Sequence, residues 1–276
     1  MEQYSVLMSV HAREKKEHFA AAIQSLLEQT VVTDDFVIVC DGPLPEELEC
    51  VLESVVSANP GLFQIVRLPE NVGVGLAAKA GLAVCKHELI AKMDSDDIAL
   101  PERCEKQLAR FAENPELAIL GGYIEEFDNG TGKAFAIRTV PVDNAGIRRY
   151  ARRRNPINNV TAMYKKSAAV AAGGYRDLRR GEDYDLYVRM LIIGYYAENM
   201  PEILVKVRVD SNTCRRRASW AAMKGCAGIW WSSYRSGFSS LMDLVICLAC
   251  ELFLVLCPGS VQQLIYRRFL RNRVSD

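Results

Sequence analysis

The sequence predicts an α/β fold: a mixed sheet flanked by helices, with a helical appendage at the C-terminal end. Three observations predict it. From Tyr4 to Leu120 short β-rich runs alternate with amphipathic stretches, the pattern of βαβ units on a parallel sheet. After Tyr123 the winding loosens, and Asp128-Asn129-Gly130-Thr131-Gly132 has the composition of a hairpin turn. Beyond residue 210 the pattern is helical to the end. The chain has 276 residues, 50% of them apolar and 25% charged, enough to bury a large core.

The predicted strands are Ser5 to Val10, Phe36 to Cys40, Phe63 to Leu68, Glu88 to Met93 and Leu117 to Tyr123. Helices fill the gaps. The first covers about Glu14 to Gln29, with Phe19, Ile23, Leu26 and Leu27 on one face, and the second about Pro45 to Ser57. A third covers Val74 to Cys85. Pro101 suits the first position of a fourth, in which Cys104, Leu108 and Phe111 repeat at helical spacing before Asn114-Pro115 stops it. Asn155-Pro156 then breaks a basic helix from a short strand. A helix over Glu182 to Ile193 follows the Gly173-Gly174 and Gly181 turns, and a strand lies near Ile203 to Val207.

The 34 basic and 34 acidic side chains cancel, so there is no global field to draw in nucleic acid. The nine cysteines are read as reduced, in the cytosol; Cys40, Cys85, Cys104, Cys226, Cys247 and Cys257 fall in apolar or helical patterns without C-x-x-C pairing. Met1-Glu2-Gln3-Tyr4 lacks a basic patch leading into an apolar run, so no secretory signal is expected and the active part should face the cytoplasm. Leu241 to Pro258 is very apolar yet carries Asp243 and Glu251 and falls short of the roughly 20 residues a span needs. Trp220, Trp230, Trp231, Tyr234 and Phe238 precede it, and Arg267, Arg268, Arg271 and Arg273 follow it. That mix suits either a helix in the headgroup layer or one packed on the main domain.

Chemistry concentrates at predicted strand ends. In Met93-Asp94-Ser95-Asp96-Asp97 three carboxylates stand within four positions directly after a strand, where open parallel sheets place their ligands. Such crowding raises each group's pKa, and a hard divalent ion, Mg²⁺ or Mn²⁺, relieves it while bridging to phosphate oxygens. Asp41 follows another strand; it suits a contact to a base or ribose, or a helix cap. His11 and Arg13 stand just past the first strand in the same edge position, where a lone histidine is either a ligand or a surface or packing residue. Asn71-Val72-Gly73-Val74-Gly75 opens the helix that carries Lys79, a positive charge for a phosphate. Gly181-Glu182-Asp183-Tyr184-Asp185 places carboxylates in a first helical turn, which the helix dipole alone would justify. Alternatively one of them, Asp183, is a general base.

Together these segments resemble the inverting family-2 glycosyltransferases, in particular a bacterial exopolysaccharide and O-antigen branch that includes amylovoran-type transferases. The resemblance rests on Ser5-Val6-Leu7-Met8-Ser9-Val10, Val39-Cys40-Asp41-Gly42-Pro43, Asn71 to Leu76, Met93 to Asp97 with Pro101, Gly173-Gly174-Tyr175 and Gly181 to Leu186, six motifs in order. It implies a Rossmann-like GT-A fold, with residues 1–210 as the transferase domain, divided into a nucleotide-binding half (1–123) and an acceptor half (124–210). Residues 211–276 form the appendage. It implies that Asp41 and Lys79 contact the nucleotide, with Ser9, His11 and Ser95 as further donor contacts; that Asp94 lies near the ribose; that Asp96 reaches the metal; and that Asp183 is the base. Glu182, Asp97 and Asn159 are secondary candidates. The implied reaction moves one sugar from a nucleotide-sugar donor, of UDP type, to a saccharide or polyprenyl-diphosphate-linked acceptor in surface polysaccharide synthesis. The implied setting is the cytoplasm or the inner face of the plasma membrane.

Two departures stand out. Asn158-Asn159-Val160-Thr161 replaces a histidine followed by proline, and Arg216-Arg217-Ala218-Ser219-Trp220 is only a distant echo of the Gln-x-x-Arg-Trp of processive synthases. The basic segment Arg148, Arg149, Arg152, Arg153 and Arg154 is either a solvated face or a seat for an acceptor pyrophosphate or anionic lipid. A sugar nucleotidyltransferase would want a glycine-rich loop after the first strand, and His11-Ala12-Arg13-Glu14-Lys15 has no glycine. A non-catalytic sugar-nucleotide-binding protein would need only one of the two acidic sites.

Overall fold

The computed structural model describes residues 2–209, 220–257 and 272–273. Outside them lie Arg216-Arg217-Ala218-Ser219 and Arg267, Arg268 and Arg271, together with the side chains of Trp220 and Arg273. The expected winding is present as β1 (Tyr4–Val10), α1 (Lys16–Leu27), β2 (Asp35–Cys40), α2 (Glu46–Ala58), β3 (Phe63–Arg67), α3 (Val74–Val84) and β4 (Leu89–Asp94). β1 runs parallel to β2 on one side and to β4 on the other, and β3 extends the sheet beyond β2. Strands this deep are covered on both faces, so they read as unbroken apolar runs; all six residues of β2 are buried.

The sheet then becomes mixed. After β5 (Ile98–Ala99) and α4 (Arg103–Glu113) comes β6 (Leu117–Asp128), whose hairpin partner is β7 (Ala134–Arg138). The predicted turn closes that hairpin, with the Asp128 carboxylate accepting the backbone N–H groups of Gly130 and Thr131. α5 (Asn144–Ala151), a 3₁₀ turn at Asn159–Thr161, β8 (Met163–Lys165), α6 (Lys166–Ala171) and α7 (Glu182–Ile192) follow. β8 is antiparallel to both β4 and β6 and so joins the two halves of the sheet. β9 (Tyr196–Val209) runs parallel to β6 and also pairs with β5. It is longer than the predicted Ile203 to Val207, because Pro201 and Glu202 face solvent and interrupt the alternation that marks a strand. α8 (Trp220–Arg235), α9 (Leu241–Leu256) and β10 (Asn272–Arg273), an antiparallel partner of β7, complete the described chain.

One core lies on each face of the sheet. β1 sends Tyr4, Val6, Met8 and Val10 into the layer with Phe19, Ile23 and Leu26 of α1, and Leu7 into the layer with Ala77 and Ala78 of α3. Gly81 lets α3 lie against the strands, since a Cβ there would come within 2.4 Å of Leu7 and 2.7 Å of Val39. Pro101 is not the first residue of α4. It sits in a turn before the Glu102 cap, where Arg103 N–H reaches the Leu100 carbonyl and the Pro101 carbonyl accepts from Thr30.

The helices α8 and α9 pack on the second core through Ile229, Trp230, Leu244 and Cys247. Arg153 Nε stands 2.6 Å from Asp243 Oδ1, and the Arg148 guanidinium donates to the Leu191 carbonyl and lies 5.2 Å from the Phe238 ring centre. The basic segment is therefore not wholly a solvated face or an open anion seat. Two of its arginines fasten the C-terminal helices, while Arg149 and Arg152 are exposed. Among the described cysteines, Cys40, Cys85, Cys104 and Cys247 are buried. Cys247 and Cys250 do stand at C-x-x-C spacing on α9, one buried and the other exposed.

Arg103 is the least expected core residue. Fully buried, it donates to the Lys92 carbonyl at 2.8 Å and to Gln107 Oε1 at 3.2 Å, and Gln107 in turn donates to the Thr161 carbonyl. It thus ties α4 to β4 and to the 3₁₀ turn. Arg103→Ala should lower stability by about 3 kcal/mol through lost bonds and a cavity; the urea midpoint measures it, and an unchanged midpoint would remove this tie from the account.

Candidate active site

Because β1, β2 and β4 are parallel and in register, their last residues share one edge. Ser9 lies opposite both Val39 and Asp94, and Val10 opposite Cys40, which Asp41 follows. Ser9 is the only part-exposed residue of β1, where that strand reaches the crevice. His11 is exposed and its Nδ1 accepts the Arg13 N–H, so its ring caps its own turn.

Asp41 is buried, and its carboxylate holds the loop after β3. Oδ1 accepts Val72 N–H at 2.8 Å and Oδ2 accepts the Asn71 amide at 2.9 Å. Gly42, with φ of 89°, permits this approach, since a Cβ there would meet Asn71 N at 2.8 Å. Asp41 therefore caps not the helix that follows it but the turn into α3. Lys79 is exposed on α3 and, among the described residues, has no hydrogen bond or ion pair with the acidic cluster.

The loop after β4 separates its carboxylates. Asp94 is half-exposed, and the buried Lys92 holds its ammonium 3.5 Å from Asp94 Oδ1 and 3.2 Å from the Met93 carbonyl. Ser95 turns away and donates to Glu14 on the turn before α1. Asp97 is buried, accepting Arg208 N–H at 2.9 Å, while Arg208 Nε donates to the Asp96 carbonyl and its guanidinium reaches Asn129 of the hairpin. Burial, followed by the charges of Asp96 and Asp94, pushes the Asp97 carboxyl well above the usual range. Negative charge is in excess here, as a cation site requires. Among the described residues no three carboxylate, histidine or cysteine side chains converge on one point. The donors present therefore fit an ion held by one or two carboxylates and completed by ligand phosphates, the habit of Mg²⁺.

α7 brings the second acidic group to the first. Gly181 caps it in the left-handed region, φ 74°, and Glu182 and Asp183 open its first turn. The Asn155 amide donates to Asp183 Oδ2 at 2.6 Å, and Asn155 Oδ1 accepts Ile157 N–H, which fixes the orientation of the amide. Burial raises the Asp183 carboxyl, and the charge of Asp94 raises it further. Glu182 is pushed up to about 8, first by burial and then by Asp183. Asn159 links the two groups: its amide lies 3.4 Å from Asp94 Oδ1 and its Oδ1 accepts the Tyr187 hydroxyl at 3.0 Å. Asn158 serves structure, donating to the Gly122 carbonyl from a buried position.

Of the predicted residues, the structure gathers Asp94, Asn159, Glu182 and Asp183. Asp41, Ser9 and His11 lie along the same edge, Asp96 and Asp97 lie in the clamped loop, and Ser95 faces α1. The sequence reading omits Lys92, Asn155, Tyr187 and Arg208. Lys92 alone carried a signal, as a charge inside an apolar strand.

The family model described as Glycosyl transferase family 2 matches residues 5–178. The chain is 37% identical over 221 residues to an amylovoran biosynthesis glycosyltransferase of Erwinia amylovora, covering 80% of this chain and 82% of that one. It is 30% identical over 270 residues to the UDP-Gal:α-D-GlcNAc-diphosphoundecaprenol β-1,3-galactosyltransferase of Escherichia coli, covering 98% and 97%. Among solved structures it resembles a Pyrobaculum calidifontis mannosyltransferase in complex with GDP-Man and Mn²⁺. There the TM-score is 0.66 at 12% identity, over 96% of this chain and 75% of that one. The fold is thus the GT-A arrangement.

Glu182 yields a test independent of any substrate. Its folded pKa lies above its unfolded one, so its contribution favours the native state at acid pH and is lost as pH rises toward about 8. Glu182→Gln should match the wild type near pH 4 and have the higher Tm at pH 9; thermal melts at the two pH values check it, and equal Tm at pH 9 would contradict the buried carboxylate.

Proposed function

The chain belongs to glycosyl transferase family 2, and we propose that it transfers one sugar, with inversion, from a UDP-linked donor to a saccharide carried on a polyprenyl diphosphate in bacterial polysaccharide synthesis. The observation that carries this reading is the meeting of two acidic elements, Asp94 at the end of β4 and Asp183 at the start of α7, across one crevice. The lipid-linked acceptor is supported by the Escherichia coli relative, whose name specifies a diphosphoundecaprenol-linked substrate. Residues 1–123 take the nucleotide, residues 124–210 the acceptor, and work proceeds at the inner face of the plasma membrane.

Nucleoside binding falls to Asp41 and the loop it holds, with Ser9 and His11 lining the same edge, Lys79 near the phosphates and Asp94 near the ribose. Asp96 would hold a divalent ion, Mn²⁺ or Mg²⁺, with Asp94 or Asp97 as neighbouring charge; when bound, that ion neutralises the departing diphosphate. Asp183 takes the proton of the acceptor hydroxyl as its oxygen attacks the anomeric carbon. The new C–O bond forms as the bond to the β-phosphate breaks, and the electron pair leaves with UDP. Asn155 holds Oδ2 of Asp183, and its donated hydrogen bond favours the ionised base.

UDP release from UDP-sugars, measured with Mn²⁺ and a lipid-linked acceptor, tests the reading. Asp183→Asn should lower kcat by a factor on the order of 10²–10⁴ with donor affinity by calorimetry unchanged. Asp96→Ala should instead weaken metal-dependent UDP binding. Full transfer by Asp183→Asn would eliminate it as the base. Because Asp183 is raised, kcat/KM should climb with pH, and Asn155→Ala should displace that limb to higher pH; a limb left in place would limit Asn155 to packing.

A further inference from the structure

Seven of the thirteen large apolar side chains exposed among the described residues belong to one helix, α9. Met242, Val245, Leu248, Leu252, Phe253 and Leu256 recur at helical spacing along one side, from 39% exposed at Leu248 to 68% at Leu256. The other side is docked, with Asp243, Leu244 and Cys247 buried. Both acidic groups of α9 turn away from the apolar stripe: Asp243 pairs with Arg153, and Glu251 is half-buried. At 16 residues the helix is about 24 Å long, under the roughly 30 Å hydrocarbon thickness, and no described helix is long and apolar enough to cross a membrane. An apolar stripe that is too short to span, and whose back is bolted to the protein, fits a surface rather than an interior.

Charge selects the surface. Residues 210–276 hold nine basic and four acidic side chains, although the whole chain is neutral. The exposed Arg149 and Arg152 stand one helical turn from Arg153 and Arg148, which contact the C-terminal segment, so positive charge is held beside these helices. Trp231, 54% exposed on α8 and 5.9 Å from the Tyr234 ring, adds an aromatic of the type that settles at headgroup level. Two copies joined through this face would bring like charges together; an anionic leaflet supplies the opposite sign.

We propose that α9 lies flat in the headgroup layer of an anionic bilayer, apolar stripe down, with Arg149 and Arg152 against lipid phosphates. This rests on the proposed lipid-linked acceptor only for its purpose, since it would hold the protein on the surface from which such an acceptor's diphosphate emerges.

Flotation of the full chain with vesicles tests it. The wild type should float with phosphatidylethanolamine–phosphatidylglycerol vesicles and scarcely with phosphatidylcholine alone. The double variant Leu248→Glu, Leu252→Glu, both exposed, should lose binding by about tenfold or more with an unchanged Tm, and Arg149→Gln with Arg152→Gln should weaken only the binding to anionic vesicles. A wild type that stays unbound overturns the proposal, as does a double variant that floats normally. So does a concentration-dependent dimer, seen by sedimentation without lipid, that the leucine variants break. UDP release with a water-soluble acceptor separates the two readings: if it persists in the leucine variants while vesicle binding is lost, both stand. Absence of transfer in a wild type that floats refutes the reaction alone.

Discussion

The stopping points of β1, β2 and β4 govern the rest of the molecule. Parallel pairing in fixed register aligns Ser9, Asp41 and Asp94 on one edge, and a shift of one residue in any of the three would turn a crevice residue into the core. That register is secured from behind by Arg103, which bonds α4 to the β4 backbone and orients Gln107, the donor to the 3₁₀ turn carrying Asn159. The polar crevice and the apolar layers are therefore one construction: the same alternation that fills both cores decides which side chains stand at the rim.

Electrostatics then sets what the rim can do. Asp94, Asp96, Asp97, Glu182 and Asp183 accumulate in partly desolvated positions, and inside the cluster the buried Lys92 is a nearby cation. Folding such a group carries a standing cost that hydrogen bonds from Asn155 and Arg208 offset only in part. Proteins keep such arrangements where a charged ligand completes them, and a nucleoside diphosphate with its cation is a ligand of that kind.

The winding up to β4 was legible because both of its signals are local: apolar runs in the strands and helical spacing between them. The strand-end carboxylates were legible for the same reason. What followed was harder, since β5, β8 and α6 are only two, three and six residues long and carry almost no periodicity. The partners of the site were invisible. Asn155 meets Asp183 across 28 residues and Arg208 meets Asp97 across 111, distances over which spacing in sequence has no meaning. Asp41 was recognised as a strand-end carboxylate, yet its cap on a loop 30 residues away needed coordinates. Arg148 and Arg153 read as a solvated face because their partners, Phe238 and Asp243, are some 90 residues further on.

The turn that launches α7 is packed from outside by the C-terminal helices. Ile229 lies 3.1 Å from where a Cβ on Gly181 would be, a Cβ on Gly225 would meet the Arg180 carbonyl at 2.9 Å, and the Tyr184 hydroxyl, buried beside these helices, reaches the Ala151 carbonyl. These helices thus wall in the start of α7 from outside. Trimming the chain after β9 to obtain a more tractable soluble fragment would remove that wall, so the shortened protein would be a poor stand-in for the enzyme even in assays that contain no lipid.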